Sequence, residues 1–312
     1  MHFAYPPRKT SNPPPFRPRT TRLPALRRSR LRTVALIFLA VVALAYLFLG
    51  SSKPSPYHER IPSGSPPVVL VTVIDPTKYD NAYLDTIKLN RQKYAARHGY
   101  ETMIVKAYDY DAKGSPQSWS KVMAMRHALS KYPDCKFVWY LDQNAYIMDP
   151  SKSLEARVLE PKTLESLMIK DFPVVPPDSI IKTFSHLRGQ DTDFIVSQDK
   201  ESLVHQTFIL RNGEWSKFFL ESWFDPLYRS YNFQKAERHA LEHIVQWHPT
   251  ILSKLALIPQ RTFSAYQSGA GDAYQKGDFV ILFPTCTEKG VDSCETMSKP
   301  YLSEWKKSFD LS

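Results

Sequence analysis

Two oxygen-bearing side chains, Asp142 and Asn144, directly follow an apolar run at residues 137–141. Such a run predicts a buried strand, and open α/β sheets bind ligands beyond the carboxyl ends of their strands. Side chains at positions i and i+2 of an extended segment point the same way, so both oxygens could face one hard cation. That cation would neutralise a diphosphate leaving group. The same Asp-x-Asn spacing is also typical of ordinary turns, so the spacing alone does not decide between them.

The segments around this run alternate between strand and helix patterns. The predicted strands are 68–74, 102–107 and 137–141, and the predicted helices between them are 83–95 and 119–129. Gly99 and Pro133 end the two helices. This β-α-β-α-β order predicts a parallel, right-handed, Rossmann-like α/β sheet.

The second half of the body is less regular. It predicts strands at 194–196, 206–210 and 279–283 and helices at 214–223 and 236–246. With ten Gly in the whole chain, neither a P-loop nor a dinucleotide-binding fingerprint is present.

The net charge of +10 is concentrated at one end of the chain. Residues 1–32 hold nine of the 41 Lys and Arg and no acidic residue, which leaves 32 basic against 31 acidic residues elsewhere. The body is therefore nearly neutral, and we expect no nucleic-acid partner.

The segment 33–50 has the composition of a membrane anchor, because residues 34–49 are all apolar. As a helix these residues would be roughly 24–27 Å long, slightly less than the ~30 Å hydrocarbon core. A cleavable signal peptide is the alternative, but its basic region is normally short. Because basic residues stay in the cytosol, we predict a type II protein. Its predicted parts are a basic, Pro-rich, disordered cytosolic tail (1–32), a transmembrane signal anchor (33–50), a luminal stem (51–67) and a luminal domain (68–312).

The three cysteines are too few for a disulfide framework. Cys286 and Cys294 could bridge in an oxidising lumen, and Cys135 is expected to be a buried free thiol.

The ordered set of segments resembles glycosyltransferase family 34. The segments that carry the resemblance are 68–75, 119–121, 139–145 (Trp-Tyr-Leu-Asp-Gln-Asn-Ala), 208–212, 240–249 and 277–279. This family includes fungal α-1,6-mannosyltransferases, fission-yeast galactosyltransferases and plant xyloglucan xylosyltransferases. The chain looks most like the fungal branch that forms subunits of the Golgi mannan polymerase II complex.

The resemblance implies a GT-A type fold and a retaining hexosyltransferase of the Golgi membrane, with its catalytic domain in the lumen. It would move mannose from GDP-mannose to the α-1,6-mannan backbone of N-glycans, together with other mannosyltransferase subunits. Two alternatives stay open: a catalytically weak scaffolding subunit of that complex, and a galactosyltransferase that uses UDP-galactose.

The resemblance also implies a divalent metal, usually Mn²⁺, held by Asp142 and Asn144. Where the family has a metal-binding His before the Cys at 286, this chain has Leu282. The family's Asn-Ala-Gly-Ser-Phe is replaced by Val-His-Gln-Thr-Phe at 204–208. An Asn oxygen can bind a hard cation, whereas Leu has no ligand atom, so we expect a weakened Mn²⁺ site.

The remaining candidates are Glu237 and four donor-binding residues. The resemblance implies that Glu237 is the catalytic residue whose carboxylate lies beside the transferred sugar and stabilises positive charge there; the alternative is an exposed acid in the first turn of a helix. The candidate donor-binding residues are Thr72, Asp75, Lys121 and Lys289, of which Lys289 would replace lost metal charge at the diphosphate. For Lys121 a solvated helix lysine is the alternative, and for His205 a structural role is the alternative to a general base.

Overall fold

The computed structural model describes residues 22–49, 61–230 and 236–311. Contacts divide the chain into two compact units, with the boundary between residues 58 and 59. The described part of the first unit is one helix, α1 (Arg22–Leu49). Across the three described ranges, no helix has both the length and the apolar character that crossing a membrane requires. The anchor predicted at 33–50 is not confirmed and stays a prediction, and residues 1–21 and 50–60 of the predicted tail, anchor and stem lie outside the described residues.

The second unit has a mixed α/β fold. Its described strands are β1 (Val68–Ile74), β2 (Glu101–Lys106), β3 (Phe137–Leu141), β4 (Ala145–Ile147), β5 (Phe194–Ser197), β6 (Thr207–Arg211), β7 (Leu255–Ile258), β8 (Ala265–Tyr266) and β9 (Val280–Leu282). Its described helices are α2 (Asn81–His98), α3 (Ser120–Lys131), α4 (Pro161–Leu167), α5 (Glu214–Trp223), α6 (Pro226–Ser230), α7 (Ala236–Trp247), α8 (Pro249–Leu252) and α9 (Cys294–Ser308). A six-stranded sheet has the order β2-β1-β3-β6-β5-β7, and a three-stranded sheet has the order β4-β9-β8.

The first three strands confirm the predicted β-α-β-α-β unit, because β1 pairs parallel with both β2 and β3. The helix before β2 ends as predicted at Gly99, whose φ of 68° suits a residue without a side chain. Beyond β3 the sheet is mixed, since β6 runs antiparallel to both of its neighbours whereas β7 is parallel to β5. The physical reason is the short connection from β5 to β6, which contains no crossover helix; parallel neighbours need a connection of about a dozen residues or more.

The six-stranded sheet is buried on both faces, and its strands alternate between two cores. Along β1, Val68 and Leu70 join the core formed with α2, the three-stranded sheet and α9. Val69, Val71 and Val73 join the core formed with α3, α5 and α7. Both layers are needed to cover strands that are apolar on each face, and together they fix the edge of the sheet at which β3 ends.

The sequence left open whether Cys286 and Cys294 are bridged and predicted Cys135 to be a buried free thiol, and this second prediction is confirmed. Cys286 and Cys294 form a disulfide across a Cα–Cα distance of 4.8 Å. The bridge precedes α9, an amphipathic helix that the sequence analysis did not predict. Its N-cap is Ser293, whose side chain accepts a hydrogen bond from the backbone of Thr296.

Candidate active site at the carboxyl end of β3

Asp142 lies where β3 ends and borders two clefts. The first cleft, of about 190 Å³, is also lined by Asp75, Lys78, Tyr79, Ser118, Lys121, Tyr140 and Gln143. The second cleft, of about 140 Å³, is lined by Asp142, Asn144, Gln206, Leu282, Phe283 and Pro284. The carboxylate is therefore placed at the carboxyl edge of a parallel strand, beside hollows that a ligand can enter.

A larger cavity of about 740 Å³ lies between α3 and α5 and contains none of the predicted site residues. Met123, Leu220 and Phe224 line it together with Arg126 and Glu221, which form an ion pair. We place the candidate site at β3 because the chemistry-bearing groups and the carboxyl ends of the parallel strands meet there.

The Asp142 carboxylate is held in a turn and still borders both clefts. Its Oδ1 accepts a hydrogen bond from the backbone N–H of Asn144 at 2.9 Å, and its Oδ2 accepts one from the Tyr140 hydroxyl at 3.3 Å. Its own backbone N–H donates to the carbonyl oxygen of Gln206 at 2.8 Å. The turn and the ligand site are thus compatible, since the turn fixes the direction of the carboxylate.

A fully buried arginine on α2 fixes the backbone of this turn. Arg91 donates from Nη2 to the carbonyl oxygens of Asp142 (2.9 Å) and Ala145 (2.8 Å). The adjacent Asn90 exchanges two hydrogen bonds of 2.9 Å with the backbone of Ile147. Burial lowers the pKa of Arg91 to about 10, so the guanidinium stays charged at neutral pH and orients the carbonyls around it.

Two tyrosines hold the side chain of Asn144. Its Oδ1 accepts a hydrogen bond from the Tyr83 hydroxyl at 3.3 Å, and its Nδ2 donates to the Tyr79 hydroxyl at 3.2 Å. The Tyr79 hydroxyl in turn donates to Sγ of Cys294 at 3.7 Å. The amide oxygen of Asn144 is thereby oriented, and it lies two residues from the Asp142 carboxylate as predicted.

Lys121 and Glu237 form a buried ion pair behind the first cleft. Nζ of Lys121 lies 2.9 Å from Oε1 of Glu237, and their side chains are only 7% and 4% exposed. Burial by itself raises the pKa of Glu237, but the charge of Lys121 and hydrogen bonds from Ser118 and Lys121 outweigh it and lower the pKa to about 2. Neither a solvated lysine nor an exposed first-turn acid describes this pair.

His205 is the third group beside Glu237. Its Nε2 lies 3.7 Å from Oε1 of Glu237, which is too long for a hydrogen bond. Burial and then the charge of Lys121 lower the pKa of His205 to about 3. The imidazole is therefore neutral at neutral pH and makes no ion pair with the carboxylate.

The other three donor-binding candidates, Asp75, Thr72 and Lys289, differ in whether they border a cleft. Asp75 borders the first cleft, and its backbone N–H donates to Oε1 of Gln143 at 2.8 Å. Thr72 is fully buried, and its hydroxyl donates to the carbonyl oxygen of Leu141 at 2.9 Å. Lys289 is exposed and does not line either cleft. Of these three, the structure brings only Asp75 to Asp142.

The predicted metal ligands, Asp142 and Asn144, have the oxygen atoms that a hard cation prefers. The carboxylate of Asp142 and the amide of Asn144 both border the second cleft, and oxygen ligands of this type suit Mn²⁺ or Mg²⁺. Leu282 is 1% exposed and offers only hydrocarbon. Within the described ranges, no group of three or more His, Cys, Asp or Glu side chains is placed to hold a metal ion.

A sequence model of the galactosyl transferase GMA12/MNN10 family matches residues 64–293, which is most of the chain. The chain belongs to this family. Its members among curated proteins are named as galactosyl- or mannosyltransferases, so this protein is a glycosyltransferase.

The relatives come from two yeasts. An uncharacterized alpha-1,2-galactosyltransferase of Schizosaccharomyces pombe is 33% identical, over 77% of this chain and 75% of its own length. An alpha-1,2-galactosyltransferase of the same yeast is 28% identical, over 72% of this chain and 63% of its own length. The "Probable alpha-1,6-mannosyltransferase MNN11" of Saccharomyces cerevisiae is 29% identical, over 76% of this chain and 62% of its own length. The match thus spans three quarters of the first relative and less than two thirds of the other two.

The fold is also that of a glycosyltransferase. The crystal structure of a glycosyltransferase involved in the glycosylation of the major capsid of PBCV-1 superposes with a TM-score of 0.52 and 9% sequence identity, covering 74% of this chain and 98% of that one. At this identity the likeness concerns the fold alone.

The structure adds residues of this GMA12/MNN10 family member that the sequence analysis missed. Lys78 borders the first cleft and forms an ion pair of 2.8 Å with Glu288. Arg91 orients the turn after β3, and Gln206 lies opposite Asp142. The position of Lys78 three residues after Asp75 was a usable signal. Arg91 and Gln206 had none, because their roles depend on segments that are distant in sequence.

Proposed function

We propose that this protein is a retaining hexosyltransferase of GT-A type that moves mannose from GDP-mannose to the α-1,6-mannan backbone of N-glycans. One observation carries the proposal: Asp142 ends β3 at the junction of two clefts, with the Lys121–Glu237 pair beside the first. In open α/β sheets, nucleotides bind beyond the carboxyl ends of the strands. Membership of a glycosyltransferase family indicates that the reaction is sugar transfer.

The residues of the first cleft would bind the donor. Lys78 lies at its rim, half exposed and paired with Glu288, so it can exchange that partner for a diphosphate oxygen. Lys121 also borders the cleft, but its ammonium is already bound to Glu237. Glu237 therefore positions Lys121. The predicted role of Glu237 at the transferred sugar remains a proposal. With a pKa of about 2, Glu237 is ionised at neutral pH and cannot act as a general acid.

A divalent cation, when bound, would draw negative charge away from the departing nucleotide diphosphate. Asp142 and Asn144 would hold it. The protein's own part is to keep both oxygens at the second cleft, through the Asx turn at Asp142 and the tyrosine contacts of Asn144.

The cellular setting is a proposal from the sequence pattern. We place the protein in the Golgi membrane as a single-pass type II protein, with segment 33–50 as its anchor and the catalytic unit in the lumen. Other mannosyltransferase subunits are the proposed partners, and a mannan or N-glycan chain is the proposed acceptor.

The relatives favour a second candidate, transfer of galactose from UDP-galactose. The two S. pombe relatives described above are named as galactosyltransferases and are 33% and 28% identical to this chain. The buried Leu282 favours a third, a weakly active scaffolding subunit, because it removes one ligand from the metal site.

Transfer assays with the full-length protein in detergent distinguish the three. GDP-mannose and UDP-galactose are each offered with an α-1,6-linked mannobiose acceptor and Mn²⁺. We expect mannosyl transfer, and its loss by at least about a hundredfold in Asp142→Ala, since removal of a transition-state charge partner costs about this much. Asp85→Ala is the matched control, because Asp85 is an exposed acid on α2 that pairs with Lys88. Galactosyl transfer without mannosyl transfer would show that the donor is UDP-galactose and not GDP-mannose. If the protein by itself transfers neither sugar and activity returns when partner subunits are added, the scaffolding role is supported.

A further inference from the structure

Gln206 faces Asp142 across the junction of β3 and β6. The antiparallel register pairs Leu141 with Thr207, so the next residues along the two strands, Asp142 and Gln206, are opposite one another. The hydrogen bond from the backbone N–H of Asp142 to the Gln206 carbonyl confirms this pairing at 2.8 Å. Directly opposite residues carry their side chains on the same face, with Cβ atoms about 4.5–5.5 Å apart.

Gln206 borders the second cleft together with Asp142 and Asn144. Its Oε1 is buried and has no hydrogen-bond partner among the described residues. A buried acceptor without a partner costs about 1–3 kcal/mol, so the Gln206 oxygen calls for a partner beyond the described residues, which is a water or a bound ion. The other half of the cleft, formed by Leu282, Phe283 and Pro284, has no side-chain ligand atom.

We propose that Gln206 is the third protein ligand of a hard divalent cation, Mg²⁺ or Mn²⁺, at the second cleft. The ligand oxygens are then Asp142 Oδ, Asn144 Oδ1 and Gln206 Oε1, and the nucleotide diphosphate completes the coordination. This inference rests on the proposed function for the nucleotide, but the ligand assignment rests on the pairing of β3 with β6 and on the unpartnered Oε1.

The composition of this site determines its selectivity. All three ligands are oxygens and only Asp142 carries charge, so the site suits cations that accept carbonyl and carboxylate oxygens. It lacks the imidazole or thiolate that favours Zn²⁺ or Cu²⁺. With one protein charge, the cation is expected to bind well only when the diphosphate is present.

The experiment measures free Mn²⁺ by electron paramagnetic resonance, in titrations of the full-length protein with saturating GDP. Gln206→Leu removes the oxygen at similar volume and is expected to weaken Mn²⁺ binding by about tenfold or more, a loss within the range found when a metal site loses supporting groups. Gln206→Glu keeps an oxygen and adds charge, so it is expected to bind Mn²⁺ more tightly than wild type. Gln198→Leu is the matched control, because Oε1 of Gln198 is also buried and unpartnered but Gln198 does not line the second cleft.

The outcomes are separable. Equal Mn²⁺ affinity in wild type and Gln206→Leu, with the variant's thermal unfolding unchanged, overturns the assignment; so does a loss of the same size in Gln198→Leu. Absence of Mn²⁺ binding by wild type with GDP also overturns it, while transfer that persists in EDTA would leave the proposed function standing. Conversely, the two proposals separate if Gln206→Leu binds Mn²⁺ more weakly than wild type while wild type transfers neither sugar. This result supports the ligand assignment and refutes the proposed function.

Discussion

Replacing Lys121 with Met should leave the Glu237 carboxylate buried without its cation. The two side chains are 7% and 4% exposed and 2.9 Å apart, so the carboxylate would lose its charge partner while it remains mostly out of contact with solvent. The pKa of Glu237 falls from 4.5 to about 2 in the folded protein, and a tenfold change in proton affinity is about 1.4 kcal/mol. The surroundings of Glu237, in which the charge of Lys121 is the largest favourable contribution, therefore stabilise the ionised folded state by about 3 kcal/mol. This value is comparable with the ~3–5 kcal/mol cost of breaking buried pairs.

The double variant Lys121→Met/Glu237→Gln tests whether the loss comes from the pair. It removes both charges, so we expect it to be more stable than Lys121→Met by about 2 kcal/mol or more. Urea unfolding of wild type, Lys121→Met, Glu237→Gln and the double variant, followed by tryptophan fluorescence at pH 7, gives the four free energies of unfolding from which the coupling is calculated. A coupling below about 0.5 kcal/mol, or a Lys121→Met variant as stable as wild type, would refute the reasoning.

The Lys121–Glu237 pair also predicts how the free energy of unfolding changes with pH. Because the folded-state pKa of Glu237 is depressed, its contribution is complete above about pH 4.5 and is lost as the pH falls toward 2. Wild type should therefore lose more stability than the double variant between pH 5 and pH 2.5. Equal slopes for the two proteins in this window would contradict the assignment of the low pKa to Glu237.

Three further substitutions test how the site is built. Thr72→Val should cost about 1 kcal/mol of stability by removing the hydrogen bond to Leu141, with the KM for the donor unchanged within about twofold; a tenfold higher KM would show that Thr72 contacts the donor. Arg91→Met should lower kcat by at least about tenfold and cost about 3 kcal/mol, because the turn after β3 loses a buried charged donor, and wild-type kinetics would contradict this. Cys286→Ser/Cys294→Ser should lower the free energy of unfolding by about 2–3 kcal/mol, the chain-entropy value for a loop closed across a separation of eight residues; an unchanged urea midpoint would argue against it.

The sequence predicts local elements well where one physical signal dominates. Of residues 68–74 all but Thr72 are apolar and all but Leu70 are β-branched, and the structure has β1 at Val68–Ile74. The helix of residues 214–223 is also confirmed at Glu214–Trp223. The antiparallel direction of β6 was not predictable from its composition, because a fully buried strand shows the same apolar run in either direction. β4 has only three residues, too few for a periodicity to appear.

The structure brings Asp142 together with Asp75 and Asn144 at the two clefts. The carboxylate after an apolar run is a local signal that drew attention to Asp142, and the resemblance to the family was needed to favour a ligand site over a turn. Lys121 and Glu237 were identified by resemblance, but their contact joins two helices more than a hundred residues apart, and periodicity does not show which helices pack together. Gln206 depends on the register between β3 and β6, which is set by tertiary packing.

One wall of the first cleft, formed by Lys78 and Tyr79, is held in place by the far end of the folded unit. Glu288, within the loop closed by the disulfide, pairs with Lys78, and Cys294 accepts the hydrogen bond of Tyr79. A ribosome must therefore release more than two hundred residues after Lys78 before this wall can assemble. Truncation before residue 286 would keep the strand that ends in Asp142 but remove the anion that holds Lys78 in place. Recombinant production in a reducing cytosol would leave the same loop unclosed, so oxidising expression hosts are the appropriate source for assays of this protein.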